Sequence, residues 1–202
     1  MAMDSFLDWA LSNKTELAGT IFGLVYVWFS IRQSLNTWPA GIITSMIYCW
    51  VFLEAKFYAG MGLQLYYLII SVYGWWSWTH GEKSNSGEDE LRVSRTSQGL
   101  WIKLFSTNLI LNVLMYFLLK RYTDSPVPFW DAFTTSLSIV ATWMLARKKL
   151  EHWLIWIFVD FISASVYFHR GLYSTVFLFL VYAIMAGIGF YEWQKEPQKV
   201  IC

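Results

Sequence analysis

The chain has 202 residues, of which 56% are apolar, 20% aromatic and 14% charged, with a net charge of +1. Soluble domains carry roughly 25% charged residues, so this composition excludes an ordinary water-facing globule. The near-zero charge, with no Lys/Arg-rich patch holding interleaved aromatics, gives no footprint for nucleic acid.

Uncharged or nearly uncharged stretches recur at about 17–31, 39–53, 62–79, 104–119, 132–146, 153–168 and 171–191. About 20 apolar residues cross the hydrocarbon core, and flanking aromatic and basic residues anchor the shorter ones at the interface. The expected fold class is therefore an all-α integral membrane protein with seven transmembrane helices. Ahead of the first span, MAMDSFLDWALSNKT is acidic rather than basic, so no secretory leader is expected. Span two holds Ser45, Tyr48 and Cys49; with the other cysteine at Cys202, no disulfide framework is indicated. Span three places Gln64, Tyr67 and Ser71 at helical spacing and runs on to Gly74. The mixed-charge stretch HGEKSNSGEDELRVSRTS, His80 to Ser97, reads as a solvated loop without chemistry. Spans one and five open on carboxylates, Glu16 and Asp131, which the helix N-terminus stabilises without any functional role. His80, His152 and His169 stand at span ends, too scattered for a metal site, and no cofactor is expected.

Span six is HWLIWIFVDFISASVYF, with Asp160 in its middle. From Trp153 to Asp160 the helix rises about 10 Å, which puts the carboxylate near the bilayer midplane. An ionised acid there costs about 2.5–3.5 kcal/mol on insertion scales, so such residues usually face a cavity and mark a pathway. Trp156, Asp160, Ser163 and Tyr167 share one face of that helix.

Shifting the sequence by 115 residues lays Glu16–Trp78 on Asp131–Trp193 without a gap, with 16 of 63 pairs identical. Trp28, Arg32, Trp38, Tyr58, Tyr67, Gly74 and Trp78 meet Trp143, Arg147, Trp153, Tyr173, Tyr182, Gly189 and Trp193. The expected organisation is one transmembrane domain over 1–202: repeat one at 16–78, loop and linker helix at 79–128, repeat two at 129–193, and a tail at 194–202. The linker span gives a 3+1+3 order in which both copies enter the membrane from the same side, as parallel repeats. The repeat sets Ser45 against Asp160, Tyr48 against Ser163, and Gln64 against Phe179. A pseudosymmetric cavity would thus be lined asymmetrically, which suits a ligand with two different ends. The candidate binding residues are Trp156, Asp160, Gln64, Tyr67, Tyr48, Ser163, Tyr167 and Tyr182.

Lys14, Lys56, Lys120, Arg121 and Arg170 fall on the N-terminal side of the seven spans. Arg32, Lys83, Arg92, Arg95, Lys103, Arg147, Lys148, Lys149, Lys195 and Lys199 fall on the other. Basic residues favour the cytoplasm, so the N-terminus is expected outside and the C-terminus inside.

The stretches PFWDAFTTSLSIVA (128–141), LARKKLEHWLIW (145–156) and FYAGMGLQLYYLIISVYGWW (57–76) resemble the PnuC family of bacterial vitamin transporters. The resemblance covers both repeats and implies a SWEET-like 3+1+3 fold in the inner membrane, surrounded by lipid. It implies facilitated diffusion of a vitamin or vitamin precursor, which a cytoplasmic kinase then traps by phosphorylation. It implies no enzyme activity, and the spans hold no interior histidine to pair with a serine nucleophile. No Gly-rich phosphate loop is present to power transport with ATP. In the family's nicotinamide riboside transporters a WxxxN motif in the sixth span contacts the substrate. Here its positions are Trp156 and, in place of the asparagine, Asp160. A carboxylate accepts hydrogen bonds but does not donate them, which turns the expectation toward the amino-pyrimidine of thiamine, with nicotinamide riboside as the alternative. A membrane assembly protein without transport is the remaining reading.

Overall fold

The structure, a computed structural model, describes residues 14–54, 58–80 and 91–195, with the side chains of 14–17 and 58–60 outside that description. The Glu16 side chain, the 81–90 part of the polar loop and the tail beyond Lys195 therefore lie outside the described residues. Seven helices follow one another: α1 (Lys14–Ile31), α2 (Thr37–Glu54), α3 (Tyr58–Thr79), α4 (Gln98–Tyr122), α5 (Pro128–Ala146), α6 (His152–His169) and α7 (Tyr173–Gln194).

Their ends follow local chemistry. Ser97 caps α4, its hydroxyl accepting from Leu100 N. Pro128 starts α5 at a position where a missing N–H costs nothing, with Asp131 in the first turn bonded by the Ser125 hydroxyl. Gly171, at φ +74°, closes α6 where a side chain would be strained, and Leu172 N returns to the Tyr167 carbonyl at 3.0 Å. The α1–α2 and α5–α6 turns have the same construction. Gln33 (φ 51°) and Lys148 (φ 46°) are the two non-glycine residues with positive φ among the described residues, and they lie 115 apart.

Each helix packs on its neighbour in sequence, except that α3 packs on α5 rather than α4, and α1 closes on α7. Six helices therefore form a ring, α1–α2–α3–α5–α6–α7, and α4 rides outside it against α5. The outward surface is apolar: Ile69, Ile102, Phe105, Ile110 and Phe177 are each about 70% exposed or close to it, at 69, 69, 69, 68 and 70%. Water would penalise a belt of that size, whereas lipid accepts it.

Inside the ring, at the end where α1, α3, α5 and α7 finish, the core is aromatic. Trp38 and Trp78 meet edge to face at 5.1 Å, Trp153 and Trp193 likewise at 5.6 Å, and Trp78 reaches Trp193 at 6.3 Å. The glycines of α3 and α7 seat these rings: a Cβ on Gly74 would lie 2.2 Å from Trp38, and one on Gly189 2.6 Å from Trp153. The sequence-aligned Trp and Gly positions are thus matched pairs that allow indole and helix backbone to touch.

The polar loop is not wholly solvated, which corrects the expectation for its second half. Val93 is buried with the tryptophans, and Ser94 forms a two-bond bridge with the α5–α6 turn: Ser94 N to the Lys148 carbonyl and Leu150 N to the Ser94 carbonyl, both 3.0 Å. Thr96 donates to Glu151 Oε2 through its amide (3.0 Å) and its hydroxyl (2.7 Å). A valine able to enter the aromatic core, followed by hydroxyls facing a carboxylate, makes this segment a strap.

Candidate functional site

The ring encloses a cavity of about 370 Å³. Six of the eight candidate residues line it: Tyr48 from α2, Gln64 and Tyr67 from α3, Trp156 and Asp160 from α6, and Tyr182 from α7. The other two do not. Ser163 is buried elsewhere on α6, and Tyr167 stacks on Phe179 at 5.4 Å with ring planes 12° apart. Both share the helical face of Asp160 by spacing, but the face turns away from the cavity over the two turns beyond it. Tyr167 therefore supports Phe179, which does line the cavity.

Asp160 is 4% exposed and, among the described residues, has no hydrogen bond or ion pair. It lies within electrostatic reach of the Tyr67 and Tyr182 side chains. A buried carboxylate left unpaired by the described residues is costly unless something else fills the role, and this one lines the cavity. No Lys or Arg among the described residues lines the same space. Among the described residues the cavity thus offers one acid, two tryptophans, four tyrosines (Tyr26 with the three above) and an amide.

Sequence reasoning missed Tyr26, Gly41, Thr44, Thr142 and His152, all of which line the cavity. The repeat held a signal for one of them: Gly41 is 115 residues before Trp156. A Cβ on Gly41 would lie 2.9 Å from the Ser71 hydroxyl and 3.0 Å from the Tyr26 ring, so glycine lets those two side chains reach the helix backbone. The signal for His152 was weaker, because a span-end histidine reads as interfacial. In the structure it is fully buried, with Nδ1 paired to the Lys149 carbonyl at 2.7 Å and Nε2 unpaired among the described residues. No group of three or more His, Cys, Asp or Glu that could hold a metal occurs among the described residues.

A family model described as nicotinamide mononucleotide transporter matches residues 13–195. The nicotinamide riboside transporter PnuC of Escherichia coli K12 is 24% identical, over 91% of this chain and 86% of its own. The riboflavin/roseoflavin transporter RibM of Streptomyces davaonensis is also 24% identical, over 92% and 86%. A crystal structure of the vitamin B3 transporter PnuC matches with a TM-score of 0.73 at 18% identity, covering 95% of this chain and 85% of that one. That likeness concerns the fold, seven helices in the same arrangement.

Proposed function

This chain belongs to the nicotinamide mononucleotide transporter family, the PnuC proteins, and on that premise we propose that it carries nicotinamide riboside across the bacterial cytoplasmic membrane. It is a membrane transporter and not an enzyme. The observation that carries the substrate reading is Asp160, a buried carboxylate with no hydrogen bond or ion pair among the described residues, in a cavity that none of their Lys or Arg side chains lines. Nicotinamide riboside brings a pyridinium cation to balance that acid, a carboxamide N–H for it to accept, and a flat ring for Trp156 and the tyrosines. The phosphorylated nucleotide would instead bring an anion to an acidic lining. The volume, about 370 Å³, lies at the low end of the roughly 300–1,000 Å³ of small-molecule sites.

Thiamine is the second reading, favoured by Asp160 standing where the family motif has asparagine. Among the relatives named above, the substrates are nicotinamide riboside and riboflavin, which moves the weight to nicotinamide riboside. Gln64, Tyr67, Tyr48, Trp156, Asp160 and Tyr182 are the proposed binding residues, with Ser163 and Tyr167 supporting them from behind.

Transport runs down the gradient, and a cytoplasmic kinase traps the product by phosphorylation. The N-terminus lies outside and the C-terminus in the cytoplasm, following the basic residues. The test is a titration of the purified protein with nicotinamide riboside, its mononucleotide and thiamine, followed by uptake into liposomes. Nicotinamide riboside should bind tightest, equilibrate without ATP, and accumulate when a riboside kinase and ATP are enclosed. Tighter binding of thiamine or of the mononucleotide would overturn the substrate reading. Accumulation driven by an ion gradient without kinase would overturn the mechanism.

A further inference from the structure

The aromatic end of the ring blocks the cavity. Leu145, Trp153 and Ala186 line the cavity and belong to the same buried cluster as Trp38, Trp78 and Trp193, and His152, also in the lining, packs on Trp153 and Trp193 at 4.4 and 4.9 Å. A solute leaving at this end has to part that cluster. Each indole pair is locked within its own half, Trp38 on Gly74 and Trp153 on Gly189, so the parting surface runs between the halves.

Two seams join the halves, and pseudosymmetry relates them: α3 against α5, and α7 against α1. They are fastened unequally. Across α3–α5, Tyr66 donates its hydroxyl to the Ile139 carbonyl at 2.8 Å, and Arg147 Nη1 reaches the Tyr73 hydroxyl at 3.4 Å. Lys148 lies over the Trp78 ring at 4.6 Å, and the Val93–Thr96 strap, which follows α3, is bonded to the α5–α6 turn. Across α1–α7 the side-chain hydrogen bonding among the described residues comes from one donor: Trp193 Nε1 to the Ser30 and Ile31 carbonyls, at 3.1 and 3.2 Å. Trp78, at the equivalent place on α3, has an unpaired indole N–H.

The turns repeat the contrast. The backbone bonds of the α1–α2 turn all recur in the α5–α6 turn, Ser34 N to Phe29 O matching Lys149 N to Met144 O. Yet Leu150, under the strap, is 1% exposed, while its counterpart Leu35 is 45% exposed.

We propose that the aromatic end opens as a gate along the α1–α7 seam alone, with α3–α5 as its hinge, and that the Trp193 indole N–H is the latch. Polar atoms left unpaired in the closed cluster favour opening, since water admitted there can satisfy them: Thr37 Oγ1, Trp38 Nε1, Trp153 Nε1 and His152 Nε2. Trp193 acts by holding α1 against α7 and is not a substrate contact. This proposal rests on the family's transport activity and not on which vitamin is carried.

The test measures the two seams separately by spin-label distances in the full chain, with Cys49 and Cys202 replaced by serine. Labels at Leu35, in the turn after α1, and Gln194, on α7, report on the α1–α7 seam; labels at Thr79, on α3, and Leu154, in the first turn of α6 just past the α5–α6 turn, report on the separation of the halves beside the α3–α5 seam. All four positions are exposed. The parent protein in lipid nanodiscs should show a longer-distance population at Leu35/Gln194 and a single narrow distance at Thr79/Leu154. Trp193→Phe keeps an aromatic ring but removes the donor along with the pyrrole part of the indole, and Trp78→Phe makes the same truncation without losing a bond, so it controls for the lost volume. Trp193→Phe should raise the open-to-closed ratio at Leu35/Gln194 about two- to tenfold, the ratio equivalent to one neutral hydrogen bond. Trp78→Phe, which removes an unpaired N–H, should leave the Leu35/Gln194 distribution as it was. Widening of both seams together in the parent, or no longer population at Leu35/Gln194, overturns the hinge whether or not the variant folds. An unchanged ratio in Trp193→Phe overturns the latch. A change of substrate preference alone would concern the cavity and would leave the gate standing.

Discussion

Gly74→Ala is the most direct test of how the two halves are built. The added Cβ would stand 2.2, 2.3 and 2.4 Å from Cη2, Cζ3 and Cζ2 of Trp38. Ordinary carbon contacts are about 3.5–4.0 Å, so the indole has to retreat by more than about 1 Å. It has nowhere to go: Trp38 is fully buried and edge-on to Trp78 at 5.1 Å. Overpacking of this kind costs about 1–3 kcal/mol, and three ring atoms struck at once argue for the upper half of that range. Alanine recovers about 0.8–1 kcal/mol in helix propensity over glycine, leaving a net loss of about 1–2 kcal/mol. For a chain of this size each kcal/mol shifts the midpoint by about 2–4 °C, so the detergent-solubilised protein should unfold about 2–8 °C lower. Heating followed by size-exclusion chromatography reads this directly. Gly62→Ala is the control, in the same helix with nothing within 4 Å of the added carbon, and should hold or raise the midpoint. Adding Trp38→Phe to Gly74→Ala should return part of the loss, as contacting residues couple. If Gly74→Ala behaves like Gly62→Ala, the indole is not seated on that glycine and the packing argument fails.

Asp160→Ala should weaken nicotinamide riboside binding about ten- to a hundredfold by calorimetry, the loss of one charge-assisted contact, with folding intact. Asp160→Asn restores the family motif and keeps an acceptor, so it should lose less than alanine for nicotinamide riboside and more for thiamine; equal losses for both ligands would deny the carboxylate a role in discrimination. Trp156→Ala should weaken either ligand by a similar factor in the same titration, and selective loss of one would show that the indole reads more than a flat ring. Glu151→Gln keeps the side chain's size but removes the charge from its bonds to the Thr96 amide and hydroxyl. Amide hydrogen exchange at Ser94 and Thr96 should then quicken several-fold while that of α6 does not, and unchanged exchange would mean that Val93 alone holds the strap.

Hydrophobic length and the recurrence of tryptophan and glycine made the helices readable, because seating an indole on bare backbone requires those two residue types at fixed spacing. The cavity was readable from Asp160, Gln64 and the tyrosines, since polar groups at mid-span have few other places to go. Helical spacing failed at Ser163 and Tyr167. It says which residues share a face, but the cavity covers part of that face, and the limit is set by α7 through Phe179. The strap was hidden for a different reason. LRVSRTS has the polarity of a loop, and its one valine is buried in a cluster whose members are scattered from Ile31 to Trp193. The seams were least readable of all, because near-identical turns differ in what covers them, as the exposure of Leu35 against Leu150 records.

The closure of α1 on α7 also bears on how the molecule is made. The bonds from Trp193 reach back 163 and 162 residues, to the end of the first helix from close to the end of the last. At synthesis rates of about 5–20 residues per second, the end of α1 waits roughly 8–30 s in the membrane before its partner is translated. During that interval its cavity-facing side, with Tyr26 and Ser30, has α2 for company and no α7. Until α7 is made the ribosome has delivered an open arc of helices, and the ring closes when α7 meets α1. A chain truncated before α7 would leave that polar stripe of α1 uncovered in lipid, a feature by which quality-control proteases could recognise it.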